Sequence, residues 1–369
     1  MPIISKDFSR PTLLLDEARA RRNIERMAAK AQRSGVRFRP HFKTHQSRQV
    51  GRWFRDYGVE TITVSSVDMA WYFARDGWRD ITIAFPVNLR QLREIDRLAR
   101  KVHLGLLVES TKSVWVLREQ LKGTVDVWLK IDVGYGRTGI AWDDASRLTT
   151  LAEEVERSKN LRLRGLLTHA GHSYGASGPK EIVDIYQESV ARLNSARQRL
   201  HAVGFTELEL SVGDTPTCSA VDNFGAVNEI RPGNFVFYDA TQLHLGSCSE
   251  HDIAIAVACP VVARHEERNE LVLYGGAVHL SKDALNDGER TVYGLVALPA
   301  DNGWGPLVPN AYVARISQEH GIVRAEAHFA RKVQPGDVLM VIPVHACLTV
   351  AQLREYLTTR GKRIKTCGI

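Results

Sequence analysis

The sequence predicts an α/β fold, a parallel (β/α)8 TIM barrel followed by a C-terminal, mostly β domain. Between about residue 12 and residue 240, eight short apolar runs alternate with longer amphipathic stretches. No Gly-rich dinucleotide motif follows the first run, which disfavours an open, doubly wound sheet with similar local patterns. Beyond about Gly246, strand-like segments continue without regular helices. The pattern therefore favours a barrel with a second domain behind it.

The eight runs are predicted as the barrel strands, and the last of them is a weaker pattern than the other seven. The runs are Val36–Arg39, Thr61–Val64, Ile81–Phe85, Val102–Val108, Val125–Ile131, Leu163–Thr168, Leu208–Val212 and Glu229–Arg231. Two of the intervening helices are clear, because Asp16–Ser34 and Lys180–Val203 carry apolar residues at helical spacing and Gly204 ends the second.

Five further strands are expected in the C-terminal part. They are Ile253–Val262, Glu270–Tyr274, Tyr312–Ser317, Ile322–Phe329 and Val338–Val344. We therefore expect a barrel domain over residues 12–245 and a β domain over residues 246–369 together with residues 1–11.

Composition restricts the class of protein. With 369 residues and 44% hydrophobic content, the chain can bury a large core. The formal charge of +7 is spread among acidic residues, which suits an anionic small molecule better than nucleic acid and is equally a solubility feature. Five widely spaced cysteines without a CxxC pair, and no signal peptide or membrane-spanning run, predict a soluble protein of the reducing cytoplasm.

The stretch Arg39-Pro40-His41-Phe42-Lys43-Thr44-His45 places a lysine among basic residues. Cationic neighbours disfavour the ammonium form of a lysine, so its free amine can react with an aldehyde. A basic surface turn explains the same residues equally well. The stretch alone leaves both interpretations open.

Unusual polar residues follow several of the predicted strands. Lys43 comes after the first run, Asp132–Gly139 after the fifth, His169–Tyr174 after the sixth and Gly213–Thr217 after the seventh. In a parallel barrel the C-terminal ends of the strands converge on one mouth. We therefore expect these segments to meet in one site.

Taken together, these motifs resemble a known family. The lysine after the first strand, the histidine-bearing sixth strand, the Gly213–Thr217 loop and the trailing β domain are similar to the alanine racemase-type fold of pyridoxal 5'-phosphate enzymes. The Pro40–His45 stretch and the pair His345-x-Cys347 resemble the D-serine dehydratase and D-threonine aldolase family. The resemblance covers nearly the whole chain.

The resemblance implies a role for each candidate residue. Lys43 is expected to bind pyridoxal 5'-phosphate covalently and then to remove the α-proton of the substrate. His169 is expected to pack against the cofactor ring, and Arg137 to lie near it. The expected phosphate ligands are Tyr174, Gly213, Asp214, Thr215 and Tyr238. An ordinary helix N-cap explains the loop as well, and core packing explains Tyr238.

His345 and Cys347 are the expected ligands of a divalent metal. In an extended strand, residues two apart point to the same face, and imidazole with thiolate favours zinc over manganese or magnesium. Two protein ligands leave positions for water and substrate. A buried strand pair at a domain edge is the structural alternative.

The resemblance implies a homodimeric lyase that acts on a small 3-hydroxy D-amino acid. Elimination of water, giving a keto acid and ammonia, is the first expectation. Retro-aldol cleavage to glycine and an aldehyde is the alternative. Racemisation and non-catalytic cofactor binding are the two less favoured alternatives. The segment Gly275–Asp283 has no role that the sequence reveals.

Overall fold

The structure is a computed structural model that describes residues 8–368. The remainder of the predicted β domain, residues 1–7 and 369, lies outside the described residues. Within the described range the strands, numbered in chain order, are β1 Thr12–Leu15, β2 Arg37–Phe38, β3 Thr61–Val64, β4 Asp80–Pro86, β5 His103–Val108, β6 Val125–Asp132, β7 Ile140–Ala141, β8 Leu161–Leu167, β9 Glu209–Val212, β10 Glu229–Ile230, β11 Ile255–His265, β12 Glu270–Tyr274, β13 Leu285–Asn286, β14 Thr291–Val292, β15 Gly294–Ala300, β16 Gly303–Ile316, β17 His320–Arg324, β18 Val338–Pro343, β19 Glu355–Thr358 and β20 Arg363–Lys365.

The α-helices of the same range separate these strands. They are α1 Glu17–Arg33, α2 Arg48–Arg55, α3 Val67–Ala74, α4 Leu92–Ala99, α5 Thr111–Gln120, α6 Ala145–Glu156, α7 Pro179–His201, α8 Thr215–Ala220, α9 Ala240–His244, α10 Ala277–Leu280, α11 Ala327–Ala330 and α12 Ala346–Leu353. None of the helices in residues 8–368 is both long and apolar enough to cross a membrane.

The chain forms two compact units that interleave along the sequence. The barrel unit comprises Glu25–Lys43 and Gly51–Gly233, and the β unit comprises the residues up to Ile24, Thr44–Val50 and Asn234–Gly368. The expected division gave the barrel domain residues 12–245 and the β domain residues 246–369 together with residues 1–11. The chain instead crosses between units several times, once at the Lys43–Thr44 peptide bond.

The barrel unit contains the predicted parallel barrel. Its strands lie in the order β2-β10-β9-β8-β6-β5-β4-β3, so all eight predicted runs are strands. After β2 the chain closes the ring, because the Phe42 amide donates to the Thr63 carbonyl at 2.8 Å and the Thr63 amide to the Pro40 carbonyl at 2.9 Å. The predicted fold class is confirmed.

An ion-pair network lies on the strands that flank this closure. Glu229 is completely buried and accepts from Arg37 Nε and Arg39 Nε, each at 2.7 Å, and from the Ser211 hydroxyl at 2.7 Å. Burial alone would raise the pKa of Glu229, but the guanidinium groups of Arg39 and Arg37 lower it. Arg39, also buried, donates to Asp80 at 2.5 Å. The carboxylate is therefore held ionised inside the barrel.

Replacing Arg39 tests the weight of this network. The Arg39→Met variant leaves the negative charge of the buried Glu229 paired with Arg37 alone. We therefore expect the free energy of unfolding to fall by about 3–5 kcal/mol. Denaturant-induced unfolding of purified protein measures the change. Arg97→Met, which removes an exposed helix-surface pair with Glu94, is the control and should change the unfolding midpoint little. Equal midpoints for the two variants would contradict a stabilising role for the buried pair.

The β unit is built on a closed, six-stranded, antiparallel barrel. Strands β11-β12-β17-β16-β15-β18 form the ring, because β18 pairs with both β15 and β11. Strand β1 extends this sheet by pairing with β11 and β19. The segment Thr12–Leu15 therefore belongs to the β sheet and not to the parallel barrel, where the sequence placed its beginning.

Two details of the β unit differ from the prediction. The expected strand Ile322–Phe329 ends at Arg324 and continues into α11. The expected extended segment after β18 is also wrong: His345 is the N-cap residue of α12 and Cys347 lies in its first turn. The residues Ala346–Leu353 carry buried side chains at helical spacing, which accounts for the helix.

Candidate active site

Lys43 lies on a firmly held backbone just after the first barrel strand. The neighbouring Phe42 is completely buried, with ring centroids 5.0 Å from Phe54, 4.9 Å from Phe73 and 5.1 Å from Trp78. The side chain of Lys43 is exposed, and its amide donates to Nδ1 of His41 at 3.3 Å. An aromatic anchor therefore fixes the position from which an accessible amine projects.

His169 lies close to Lys43 in the barrel unit. Its Nδ1 lies 2.6 Å from the Gly213 carbonyl oxygen, which fixes the ring. Since a carbonyl only accepts, Nδ1 carries the proton. Burial, and next the positive charge of Lys43, hold the pKa of His169 well below its usual range. The imidazole is therefore neutral, as a ring that packs against an aromatic cofactor requires.

The loop after β9 presents hydrogen-bond donors at the start of α8. The Thr215 amide lies 3.5 Å from the Tyr174 hydroxyl, so both can reach one anionic group. Asp214 is the N-cap and accepts from the Thr217 amide at 2.8 Å and the Ser173 hydroxyl at 3.0 Å. Burial raises the pKa of Asp214 to about 6. The carboxyl group of Asp214 is therefore occupied in stabilising the loop. The groups of the loop that could bind an anion are its backbone amides.

Gly213 is required by packing. A Cβ at this position would lie 2.8 Å from Cβ of Arg231 and 2.9 Å from its backbone. Any larger residue would displace the loop from β10. The glycine thus sets how the loop leaves the barrel.

Arg137 lies in the loop after β6 that Asp132 organises. The Asp132 carboxylate accepts from the Gly134 amide at 3.0 Å and the Gly136 amide at 3.1 Å. The guanidinium carbon of Arg137 is 5.0 Å from the centroid of the Tyr135 ring. The charge of Arg137 also contributes to the lowered pKa of His169, so the two lie close together.

Sequence reasoning missed two buried cations of the barrel. Lys130 is 6% exposed, and burial followed by the charge of Arg231 lowers its pKa to about 7. Arg231 donates to the Ser211 hydroxyl at 2.7 Å and to the Thr168 carbonyl. A lysine inside the Val125–Ile131 run, beside the apolar Leu129 and Ile131, was the available signal.

The barrel unit brings together Lys43, Arg137, His169, Tyr174, Gly213, Asp214 and Thr215. They fit pyridoxal 5'-phosphate: the exposed amine can bond the aldehyde, the neutral imidazole can face the ring, and an amide beside a phenol can bind the phosphate. Tyr238 lies in the β unit instead. It is buried and adopts a left-handed backbone conformation with φ of 50°.

The pair His345 and Cys347 lies at the start of α12. His345 Nδ1 is 2.5 Å from Asp283 Oδ2, and Cys347 Sγ is 3.2 Å from the Thr44 hydroxyl. Burial would lower the pKa of His345, but the hydrogen bond to Cys347 and the nearby carboxylates raise it to about 10. The two side chains therefore meet, although the backbone between them is helical.

The donor set of this pair fits an open metal site. Among residues 8–368, no three His, Cys, Asp or Glu side chains form a group that could hold a metal ion. Imidazole and thiol are two ligands that zinc accepts, and a catalytic zinc keeps positions free for water or substrate. His345 and Cys347 are thus two side chains that could serve as protein donors to a metal.

Asp239 connects Tyr238 to the metal motif and was also missed. Its carboxylate accepts from the Ala346 amide at 2.9 Å and the Gln242 amide at 3.0 Å. Thr241, two residues further along the chain, donates its hydroxyl to the Val344 carbonyl at 2.8 Å. The segment that carries Tyr238 is therefore tied to both sides of His345.

Known proteins match the chain along its length. The alanine racemase N-terminal domain family matches residues 15–241, and the serine dehydratase domain family matches residues 254–359. The chain is 31% identical to D-threo-3-hydroxyaspartate dehydratase from Delftia sp., with 94% of this chain and 93% of the relative covered. It is 28% identical to D-serine dehydratase from Dictyostelium discoideum (95% and 93% covered) and 26% identical to D-threonine aldolase from Arthrobacter sp. (91% and 85% covered).

The solved structure of the Delftia dehydratase superposes with a TM-score of 0.89 at 30% identity, over 99% of this chain and 98% of that one. Two variants of that enzyme have also been solved, a cysteine-to-alanine mutant in the metal-free form and a histidine-to-alanine mutant, whose substituted positions are two apart. The family match over residues 15–241 and the similarity to the Delftia dehydratase over 94% of this chain agree with each other. This chain belongs to the alanine racemase-type, fold type III family of pyridoxal-phosphate enzymes, in the branch of the D-serine dehydratases and D-threonine aldolases.

Proposed function

We propose that this chain is a pyridoxal-phosphate- and metal-dependent lyase that eliminates water from a small 3-hydroxy D-amino acid. The released enamine then takes up water and hydrolyses to a keto acid and ammonia. One observation carries the proposal: Cys347 of the metal motif contacts Thr44, the residue that directly follows Lys43. The amine and the metal ligands are thereby linked through consecutive residues. The two dehydratases named above support the reaction, and the Delftia variants support a histidine and a cysteine as the metal ligands.

The chemistry divides between two bound groups and the side chains that hold them. When bound, the cofactor supplies a sink for the electron pair left at Cα, and a divalent cation supplies Lewis acidity for a departing hydroxyl. Lys43 would hold the cofactor through Nζ, and the Thr215 amide with the Tyr174 hydroxyl would hold its phosphate. His345 and Cys347 would hold the metal.

The residues of the chain control the protons. Lys43 Nζ accepts the α-proton of the substrate once the amine is free. His169 stays neutral because Nδ1 donates to the Gly213 carbonyl and its pKa is lowered. The neutral ring directs its one proton to the Gly213 carbonyl and adds no positive charge to the site.

Product analysis tests the reaction. Purified holoenzyme is given D-serine, D-threonine or D-threo-3-hydroxyaspartate separately, with L-serine as the control. We expect keto acid and ammonia from at least one D-substrate and nothing from L-serine. Glycine and an aldehyde in place of keto acid would replace the proposal with the aldolase activity of the Arthrobacter relative. Interconversion of D- and L-forms without either product would make the chain a racemase.

We further propose that the enzyme is a homodimer of a reducing compartment such as the cytoplasm, with the cofactor on the barrel and the metal on the β domain. None of the five cysteines, all of which lie within the described range 8–368, forms a disulfide, which supports the compartment. Light scattering coupled to gel filtration measures the mass in solution. A mass near 41.3 kDa would contradict the dimer.

A further inference from the structure

The segment Gly275–Asp283 has a structure that the proposed reaction does not explain. It leaves β12 through two glycines, forms the short helix α10 and ends at Asp283. At Gly276 a Cβ would lie 2.4 Å from the Ser317 carbonyl oxygen, and at Gly275 one would lie 2.5 Å from Cys259 Sγ. The start of the segment is therefore packed so closely that only glycine fits.

Its other end is attached to α12, the helix that begins beside His345. The Ser281 amide donates to Gln352 Oε1 at 2.9 Å, and the Thr349 hydroxyl to the Leu280 carbonyl at 3.3 Å. Ser281 has φ of 70°, a conformation that non-glycine residues seldom adopt, and its hydroxyl accepts from the Asp283 amide at 3.2 Å. These contacts fix the backbone of Asp283 relative to α12.

The fixed carboxylate reaches one nitrogen of His345. Asp283 Oδ2 lies 2.5 Å from His345 Nδ1, and because a carboxylate only accepts, Nδ1 is the donor. This leaves Nε2 as the ring nitrogen able to bind a metal. Asp283 does not join His345 and Cys347 in a three-ligand group, since residues 8–368 contain none. The carboxylate thus acts on the ring and not on the metal position.

We infer that Asp283 is a positioning residue that holds the imidazole of His345 in the orientation and tautomer required for metal binding through Nε2, and that the Gly275–Asp283 segment serves as its support. Carboxylates in this position orient the ring and raise its basicity as a ligand. The inference rests on the proposed metal site at His345 and Cys347. It assigns a role to the one segment that the sequence left unexplained.

The same segment contains a matched control. His279 Nε2 lies 3.8 Å from Glu319 Oε2, so a second histidine and carboxylate face each other in the β unit, apart from the metal motif. Glu319→Gln removes that carboxylate as Asp283→Asn removes the first. Asp283→Glu keeps the acceptor and shifts it by one methylene.

The test measures zinc affinity of the full-length holoenzyme by competition with a chromophoric chelator. We expect Asp283→Asn to weaken zinc binding about 10- to 100-fold, Asp283→Glu to recover part of it, and Glu319→Gln to bind as wild type does. With zinc removed, wild type and Asp283→Asn should have the same melting temperature, which a purely structural role would not allow.

Each contrary result has its own meaning. If wild type binds zinc and Asp283→Asn binds it equally well, the inference is overturned and the proposed metal site stands. An equal loss of zinc affinity in Glu319→Gln would also overturn the inference. The loss would then follow from removing any carboxylate near this segment and would not be specific to Asp283. If wild type binds no zinc, the proposed metal site itself fails.

Discussion

Lys43→Ala is expected to abolish turnover, with kcat lower by about 10⁴-fold, because the variant lacks the base that accepts the α-proton. It also lacks the amine that would bond the cofactor aldehyde. The visible absorbance band of the bound cofactor should therefore disappear from the purified protein. Absorbance spectra and keto acid assays with the same preparation measure the two effects together.

Two further variants separate reactivity from charge. Lys43→Arg keeps a positive side chain but has no reactive primary amine, so it should behave like Lys43→Ala. Lys180→Ala removes an exposed lysine at the start of α7 and should leave spectrum and turnover unchanged. An undiminished visible band in Lys43→Ala would refute the role given to this lysine, whatever the turnover.

Cys347→Ala is expected to lose bound metal and dehydration while keeping the cofactor. Lewis-acid assistance to a departing hydroxyl amounts to several kcal/mol, and each 1.36 kcal/mol is a factor of ten, so kcat should fall by at least about a hundredfold. Metal analysis and the keto acid assay should fall together. The visible band should persist, because Lys43 is intact.

Cys248→Ala is the matched control, since Cys248 is another cysteine of the β unit that forms no disulfide and lies outside the metal motif. It should retain metal and activity. Treatment of wild type with a chelator should reproduce the Cys347→Ala result, and zinc should restore wild type only. Full turnover in metal-free wild type would show that the pair has no part in the reaction.

Much of this site could be predicted from the sequence. Lys43, His169 and the Gly213–Thr217 loop follow predicted strands, and a parallel barrel brings strand ends together. That these residues lie near one another follows from the order and direction of the barrel strands. It does not depend on the packing of individual side chains.

The parts that were missed depend on contacts between distant segments. Asp239 and Asp283 are ordinary aspartates in sequence, and their positions beside Ala346 and His345 arise from a fold of the β unit that no local pattern specifies. The helical start after His345 was missed because the expected strand was extended too far. Lys130, in contrast, was visible as a lysine between two apolar residues of a predicted strand.

The strand that leads to Lys43 has only two residues in the sheet, Arg37 and Phe38, paired with Glu229 and Ile230. Two paired residues contribute few hydrogen bonds to the sheet, so the closure relies on the contacts that follow them, the buried Phe42 ring and the pairing of Pro40 and Phe42 with Thr63. A ligand that bonds to Lys43 and has no affinity for an opened seam would stabilise the closed barrel by mass action, and slower amide hydrogen exchange at Thr63 on cofactor loading would report it. Cofactor loading would then strengthen the closure of the barrel as well as equip it for catalysis.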